Sequence, residues 1–357
     1  MKKIIVLCAL VTVSTSGWAQ KSKSKPKNII LMVGDGMGVA QIYAGFTGNK
    51  GKLNLERCTA IGFHKNQSAD NYVTDSAAGA TALASGQKTY NGAIGVDAAG
   101  KPIPTILEIA EQKGLATGLV ATCSITHATP ACFISHQASR GLNEAIALDF
   151  LKTDIDVFIG GGRNYFSKRS DGINLNDSLK ARGYQIANSI SEVQQITKGK
   201  VAAFLADEQQ ARFSEGRGDE LVKSTEAAIR LLKGNKKGLF MMIEGSQIDW
   251  GGHDNNTQYI VEEMIDFDNA IGKALDFAAA DGNTLVIITA DHETGGFSLV
   301  GGDMKTGTVE GKFTTGHHTG VMIPVFAFGP GSEKFSGIYE NTDIYKKMYE
   351  AFGFSKK

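Results

Sequence analysis

Short apolar runs closed by a glycine or an acid alternate along this chain with longer stretches of helical spacing. Residues 29–33 form a continuous apolar run that stops at Gly34, the pattern of a strand buried on both faces. The pattern recurs at residues 116–121, 156–159, 201–205, 239–243, 285–289 and 323–328. Helical spacing covers residues 76–85, 104–113, 142–151, 219–232, 257–280 and 341–352. Buried strands separated by helices predict an α/β fold: a central, mostly parallel sheet with helices on both faces. No repeat or low-complexity linker breaks residues 28–357, so they read as one α/β domain. Residues 165–200 are the least regular stretch and predict an excursion from the sheet.

In such a sheet, ligands bind beyond the carboxyl ends of the strands. Polar residues follow the apolar runs at those ends. Asp35 follows 29–33, Glu244 follows 239–243, Asp291 and His292 follow 285–289, and Thr129 lies a few residues past 116–121. Four strand ends thus bring oxygen and nitrogen donors to one edge of the sheet.

Composition narrows the setting. Lys+Arg and Asp+Glu are equal at 37 each, so no basic surplus points to nucleic acid or to an anionic membrane surface. Glycine, at 43 of 357 residues, exceeds the usual ~7% and predicts tight loops at strand ends. Residues 1–19 have the layout of a secretory signal peptide. Lys2 and Lys3 precede an apolar stretch too short to anchor in a bilayer, and Gly17-Trp18-Ala19 offers a cleavage pattern. A basic segment, 20–27, follows, and an exported protein, periplasmic or secreted, is expected. Cys58, Cys123 and Cys132 would remain, too few for a disulfide scaffold, and a Cys123–Cys132 pair is not expected.

The strand-end motifs carry the chemistry. Gly34-Asp35-Gly36-Met37-Gly38 lacks the third glycine of a dinucleotide loop, since Val39 stands there, and lacks the Gly-Lys-Ser/Thr of a P-loop. Asp35 is then either a helix cap or a carboxylate left bare at a crowded site. Ser76, in Thr74-Asp75-Ser76-Ala77-Ala78-Gly79, begins a helix of small residues. It reads as an ordinary cap or as a nucleophile at a helix N-terminus, and the small neighbours favour the second. Asp249 and His253 lie four apart, and His317-His318 precedes the last core strand. Three imidazoles (His253, His292, His318) with several carboxylates, and no suitable thiolate, suit zinc in open catalytic sites, while Asp, Glu and Thr oxygens suit magnesium. His64 and His136 read as surface or packing residues.

Taken in order, Gly34–Gly38, Thr74–Thr81, His127-Ala128-Thr129-Pro130-Ala131, Ser139-Arg140, Glu244–Asp249, Thr289–Glu293 and His318-Thr319-Gly320 resemble the motifs of the alkaline phosphatases. The resemblance implies a metal-dependent phosphomonoesterase that works through a phosphoserine. It implies Ser76 as nucleophile and Arg140 as the fork on the phosphate oxygens. It places one zinc on Asp249, His253 and His318, a second on Asp35, Asp291 and His292, and a magnesium on Asp35, Thr129 and Glu244. His127 and Trp250 stand where the best-studied bacterial members have Asp and Lys, which leaves the identity of the third metal open. About two dozen residues separate His292 from His318, so the crown insertion of larger members must be minimal here, substrate access open, and a homodimer less secure. A diesterase or sulfatase on the same fold, and a noncatalytic phosphate- or metal-binding protein, are the competing readings. Sulfatases need a Pro-Ser-Arg context that Ser76 lacks, and a binding protein predicts loss of Ser76 or a metal ligand.

Overall fold

The computed structural model describes residues 25–354. The proposed signal peptide and most of the basic segment after it lie outside the described residues. Ten strands form the main sheet: β1 (Asn28–Gly34), β2 (Ala60–Lys65), β3 (Ala116–Ser124), β4 (Val157–Gly161), β5 (Tyr184–Ala187), β6 (Lys200–Phe204), β7 (Leu239–Gly245), β8 (Thr284–Thr289), β9 (Ile323–Phe328) and β10 (Gly337–Glu340). Their order across the sheet is β10-β2-β9-β8-β1-β7-β3-β4-β6-β5. Only β9 runs antiparallel to its neighbours, β2 and β8.

Every residue of β1, β3 and β7 is buried, as a strand covered on both faces requires. Alternate side chains feed two cores. Ile29, Leu31 and Val33 join Leu83, Ile344 and Met348 of the helices Ser76–Ser85 and Asn341–Ala351 on one face. Ile30 and Met32 join Ile260, Met264, Phe267 and Ile271 of the long helix Thr257–Asp281 on the other. That helix is capped by the Asn256 side chain and stops at Gly282, which is left-handed at φ 69°.

The apolar runs became strands within two residues at each end, except that β3 extends three further, to Ser124. Residues 165–200 correct the expectation of an excursion: β5 lies within them and pairs parallel with β6 as the edge of the sheet. An edge strand of four residues, half of it accessible, has no apolar run to announce it. The alternating β2 and the exposed β10 were missed for the same reason. Between His292 and His318 the chain forms a two-stranded ribbon, Ser298–Asp303 with Thr308–Lys312, and a two-residue strand, Glu293–Thr294, that pairs with His318–Thr319. The three cysteines among the described residues are free, and no helix among those residues is long and apolar enough to cross a membrane.

Away from the strand ends, Arg217 is fully buried and donates to Glu263 and Asp266 of the long helix. Removing the guanidinium leaves two carboxylates buried without a cation. Arg217→Ala is therefore expected to cost ~3–5 kcal/mol, read as a lowered urea midpoint.

Candidate active site

β1 ends by delivering Asp35, which has no exposed surface. The next residue must be glycine: Gly36 has φ 73°, and a Cβ there would lie 2.6 Å from the Asp249 Cα. That contact packs the turn after β1 directly against the short helix Gln247–His253 that follows β7. Asp249 and His253 share one face of this helix, with His253 Nε2 3.3 Å from Asp249 Oδ2. His318 enters from the loop before β9, its Nε2 3.5 Å from Asp249 Oδ1 and 3.2 Å from His253 Nε2. The Nδ1 atoms of these rings rest on backbone carbonyls, His253 on Gly316 at 2.8 Å and His318 on Thr74 at 2.9 Å. With Nδ1 on a carbonyl, both Nε2 atoms are directed at one point beside Asp249, the orientation of imidazoles built to ligate. A cation there displaces the proton that Asp249 holds on His253, whose pKa it raises to about 9.

A second group forms beside it. His292 Nε2 lies 3.4 Å from both Asp35 Oδ1 and Asp291 Oδ2 and 3.2 Å from the Ser76 hydroxyl. Ser76 opens its helix, but the cap is Asp75, whose Oδ1 accepts from the Ala78 N–H at 2.9 Å. The Ser76 hydroxyl is thus spared from capping and turned toward His292. Gly79 lets this helix approach, since a Cβ there would meet that of Asp291 at 3.0 Å. A third group lies behind Asp35, whose Oδ2 is 3.5 Å from the Thr129 hydroxyl. Glu244, Cys123 and His127 each offer a ligand atom within 4.8 Å of the others.

Arg140 closes one side. Its Nη1 donates to Asp75 Oδ2 at 3.1 Å, its Nη2 lies 3.1 Å from His127 Nε2, and its backbone N–H donates to Gly92 O at 2.7 Å. Trp250 meets the His127 ring edge-on at 6.2 Å between centroids. All twelve residues expected from sequence therefore sit around one region, and His318 rather than His317 supplies the ring.

Electrostatics show what this arrangement lacks. Asp35 Oδ1, Asp291 Oδ2, Glu244 Oε1 and His127 Nδ1 are buried without a hydrogen-bond partner. Burial, reinforced by neighbouring carboxylates, raises the Asp35 pKa well above its ordinary value and pushes Asp291 and Glu244 up to about 7. Asp249 goes the other way: burial opposes its ionisation, but His253, His292 and His318 outweigh that and hold it low. Burial and the neighbouring His318 push His292 well below the usual imidazole range, and burial and Arg140 lower His127 to about 3. Neutral His127 and His292 beside destabilised carboxylates with unpartnered oxygens are donors that divalent cations satisfy.

Several contributors were not singled out from sequence. Asp75 holds the helix and Arg140 together, and its place immediately before Ser76 was the available signal. Thr294 is fully buried; its hydroxyl donates to Asp249 Oδ1 and lies 3.2 Å from His292 Nδ1, while its backbone pairs with His318. Cys123 sits in the third group although no suitable thiolate was expected among the donors.

A parallel sheet with a buried serine and clustered oxygen and imidazole donors at its carboxyl edge defines a metal-assisted hydrolase. Comparison with known proteins makes this specific. The alkaline phosphatase family profile matches residues 26–312. Alkaline phosphatase 4 of Bacillus subtilis is 35% identical over 91% of this chain and 88% of its own length. The structure of alkaline phosphatase from the Antarctic bacterium TAB5 superposes with TM-score 0.87 and 45% identity, covering 93% of this chain and 99% of that one. A TAB5 variant with a histidine replaced by aspartate, described with Mg bound in its M3 site, gives TM-score 0.88 at 44% identity over the same shares. The chain belongs to the alkaline phosphatase family. It is a phosphatase acting on phosphate monoesters, in a family where metal cofactors are part of the site.

Proposed function

We propose that the enzyme hydrolyses phosphate monoesters through a phosphoserine on Ser76, at a site holding two zinc ions and one magnesium ion. The observation that carries this reading is the Ser76 hydroxyl, 3.2 Å from His292 Nε2 and beside carboxylate oxygens with no partner. Asp249, His253 and His318 would hold one zinc, Asp35, Asp291 and His292 the second, and Asp35, Thr129 and Glu244 the magnesium. When bound, such cations supply positive charge that lowers the pKa of a hydroxyl or water and stabilises a leaving oxygen.

The chain's own groups do the positioning. Arg140 can fork onto two nonbridging phosphate oxygens, and its salt bridge to Asp75 fixes the guanidinium relative to the Ser76 helix. Ser76 loses its proton to solvent and attacks phosphorus; its oxygen gains the phosphoryl group as the ester oxygen departs and takes up a proton from solvent to leave as the alcohol. Water then cleaves the phosphoserine, restoring the hydroxyl and releasing inorganic phosphate. Trp250 and His127 line the same wall, and the short ribbon at 298–312 leaves access open. We further infer that residues 28–357 form one domain and that the protein is exported after loss of residues 1–19. Rates on a monoester and a diester, paired with metal analysis, test this reading: monoester turnover should dominate and track metal content.

Two expected outcomes arise here. By analogy with the TAB5 variant, His127→Asp adds an oxygen donor at the third position and should shift its occupancy toward magnesium, read by elemental analysis after equilibration with both ions. Thr294→Val should weaken zinc retention by roughly tenfold in a chelator competition, because it removes the hydroxyl that holds Asp249 and His292, and Thr294→Ser should restore it.

A further inference from the structure

Cys123, near the end of β3, has no exposed surface, and its Sγ lies 3.3 Å from Glu244 Oε2 and 3.2 Å from Ser124 O, two acceptors that share its one proton. Two neighbours in this group carry atoms with no partner: Oε1 of Glu244, a side chain with no exposed surface, and Nδ1 of His127. His127 Nε2 accepts from Arg140, so in the metal-free ring the proton sits on Nδ1, the nitrogen with no partner, and leaves it when that nitrogen ligates. A sulfur and an oxygen on one tetrahedral zinc, at ~2.3 and ~2.0 Å, stand roughly 3.5 Å apart. The observed Cys123–Glu244 separation of 3.3 Å is close to that. Cys132 provides the contrast. It is equally buried, but its thiol is satisfied by Ala77 O and the Thr81 hydroxyl, and it belongs to none of the candidate donor groups found among the described residues.

We propose that Cys123 is a ligand of the third cation, giving that position a Cys123–His127–Glu244 donor set that selects zinc or cobalt over magnesium. The proposal rests on the reading that Glu244 faces a cation, and it replaces the magnesium assigned there from the family pattern with zinc or cobalt. Thiolate sulfur is a soft donor that magnesium, bound through oxygens, gains little from, whereas zinc and cobalt bind it firmly. Binding exchanges the S–H bond for a sulfur–metal bond, and the proton leaves to solvent. Because Arg140 carries only N–H donors, an ion on Nδ1 moves the ring proton to Nε2 and releases the contact with the phosphate-binding guanidinium. The identity of the third ion is thereby coupled to affinity for phosphate.

The test uses full-length protein stripped of metal and reloaded with cobalt. The expected result is three bound ions and a near-ultraviolet thiolate-to-cobalt charge-transfer band, lost in both Cys123→Ser and Cys123→Ala, with visible cobalt absorption retained. Zinc affinity at the third position, measured in competition with magnesium, should fall by at least ~10-fold in both variants. The wild-type spectrum decides the point even where a substitution disturbs packing. Three bound ions with no such band in the wild type, or a band that survives in the variants, would overturn Cys123 as a ligand while leaving the three-cation reading intact. Fewer than three ions would overturn both.

Discussion

Ser76→Ala is expected to reduce turnover of a phosphate monoester by at least ~10³-fold, a loss of about 4 kcal/mol of transition-state stabilisation. The side chain is almost fully buried, and the substitution removes one hydroxyl whose close contact is His292. Nothing else needs to move: Asp75 remains the helix cap, so the N-terminus and the packing of Gly79 on Asp291 are preserved. Metal content should therefore be unchanged, and product phosphate should still bind through Arg140. The check is a pair of measurements on one preparation, steady-state rate and elemental analysis. Wild-type turnover in Ser76→Ala would remove the nucleophile assignment, and loss of metal along with activity would recast Ser76 as structural.

Removal of metal should have the second large effect, and it should depend on pH. In the metal-free protein, Asp35, Asp291 and Glu244 have folded-state pKa values raised above their ordinary ones, the last two to about 7. A raised carboxylate binds its proton more tightly in the folded than in the unfolded chain. Stability is then lost as pH rises from the ordinary carboxylate range through about 7, and the loss is complete above that. Asp249, held low by its imidazoles, acts in the opposite sense, its contribution disappearing only in strong acid. His127 and His292, held low chiefly by burial, also oppose the carboxylate trend, costing stability as pH falls through the ordinary imidazole range. The net expectation is a metal-free enzyme less stable at pH 8 than at pH 5 by on the order of a few kcal/mol. Zinc should reverse the difference by satisfying the same oxygens. Thermal unfolding of chelated and reloaded protein at the two pH values checks this. A chelator effect of equal size at both would show that the cluster is not where the cations act.

What the sequence disclosed follows from which residues have a single use. Strands β1, β3, β7 and β8 are buried on both faces, so their apolar runs are unbroken, and the polar residue ending each run is conspicuous. Asp35, Glu244 and Asp291 were legible for that reason. The strands β2, β5 and β10 bury one face or none, and their patterns merge with those of loops. The helix Val39–Gly48 was likewise missed, because its buried positions include Gln41, Gly45 and Thr47, which do not mark an apolar stripe. Within the site, residues that act through a neighbour were invisible. Thr294 and Asp75 matter only because the fold carries them to Asp249 and Arg140, and neither residue type announces that task. Cys123 was set aside on counting alone, since a lone thiol signals nothing until β3 and β7 pair and bring it to Glu244.

Anomalous diffraction at the zinc edge, from crystals of the zinc-loaded enzyme, bears most directly on the claim that separate strand ends form one cation cluster around Ser76. Two strong peaks are expected, one among Asp249, His253 and His318 and one among Asp35, Asp291 and His292, with the Ser76 oxygen beside the second and a third peak at Cys123, His127 and Glu244 where zinc fills that position. Peaks elsewhere on the molecule, or a Ser76 side chain turned away from them, would contradict the account.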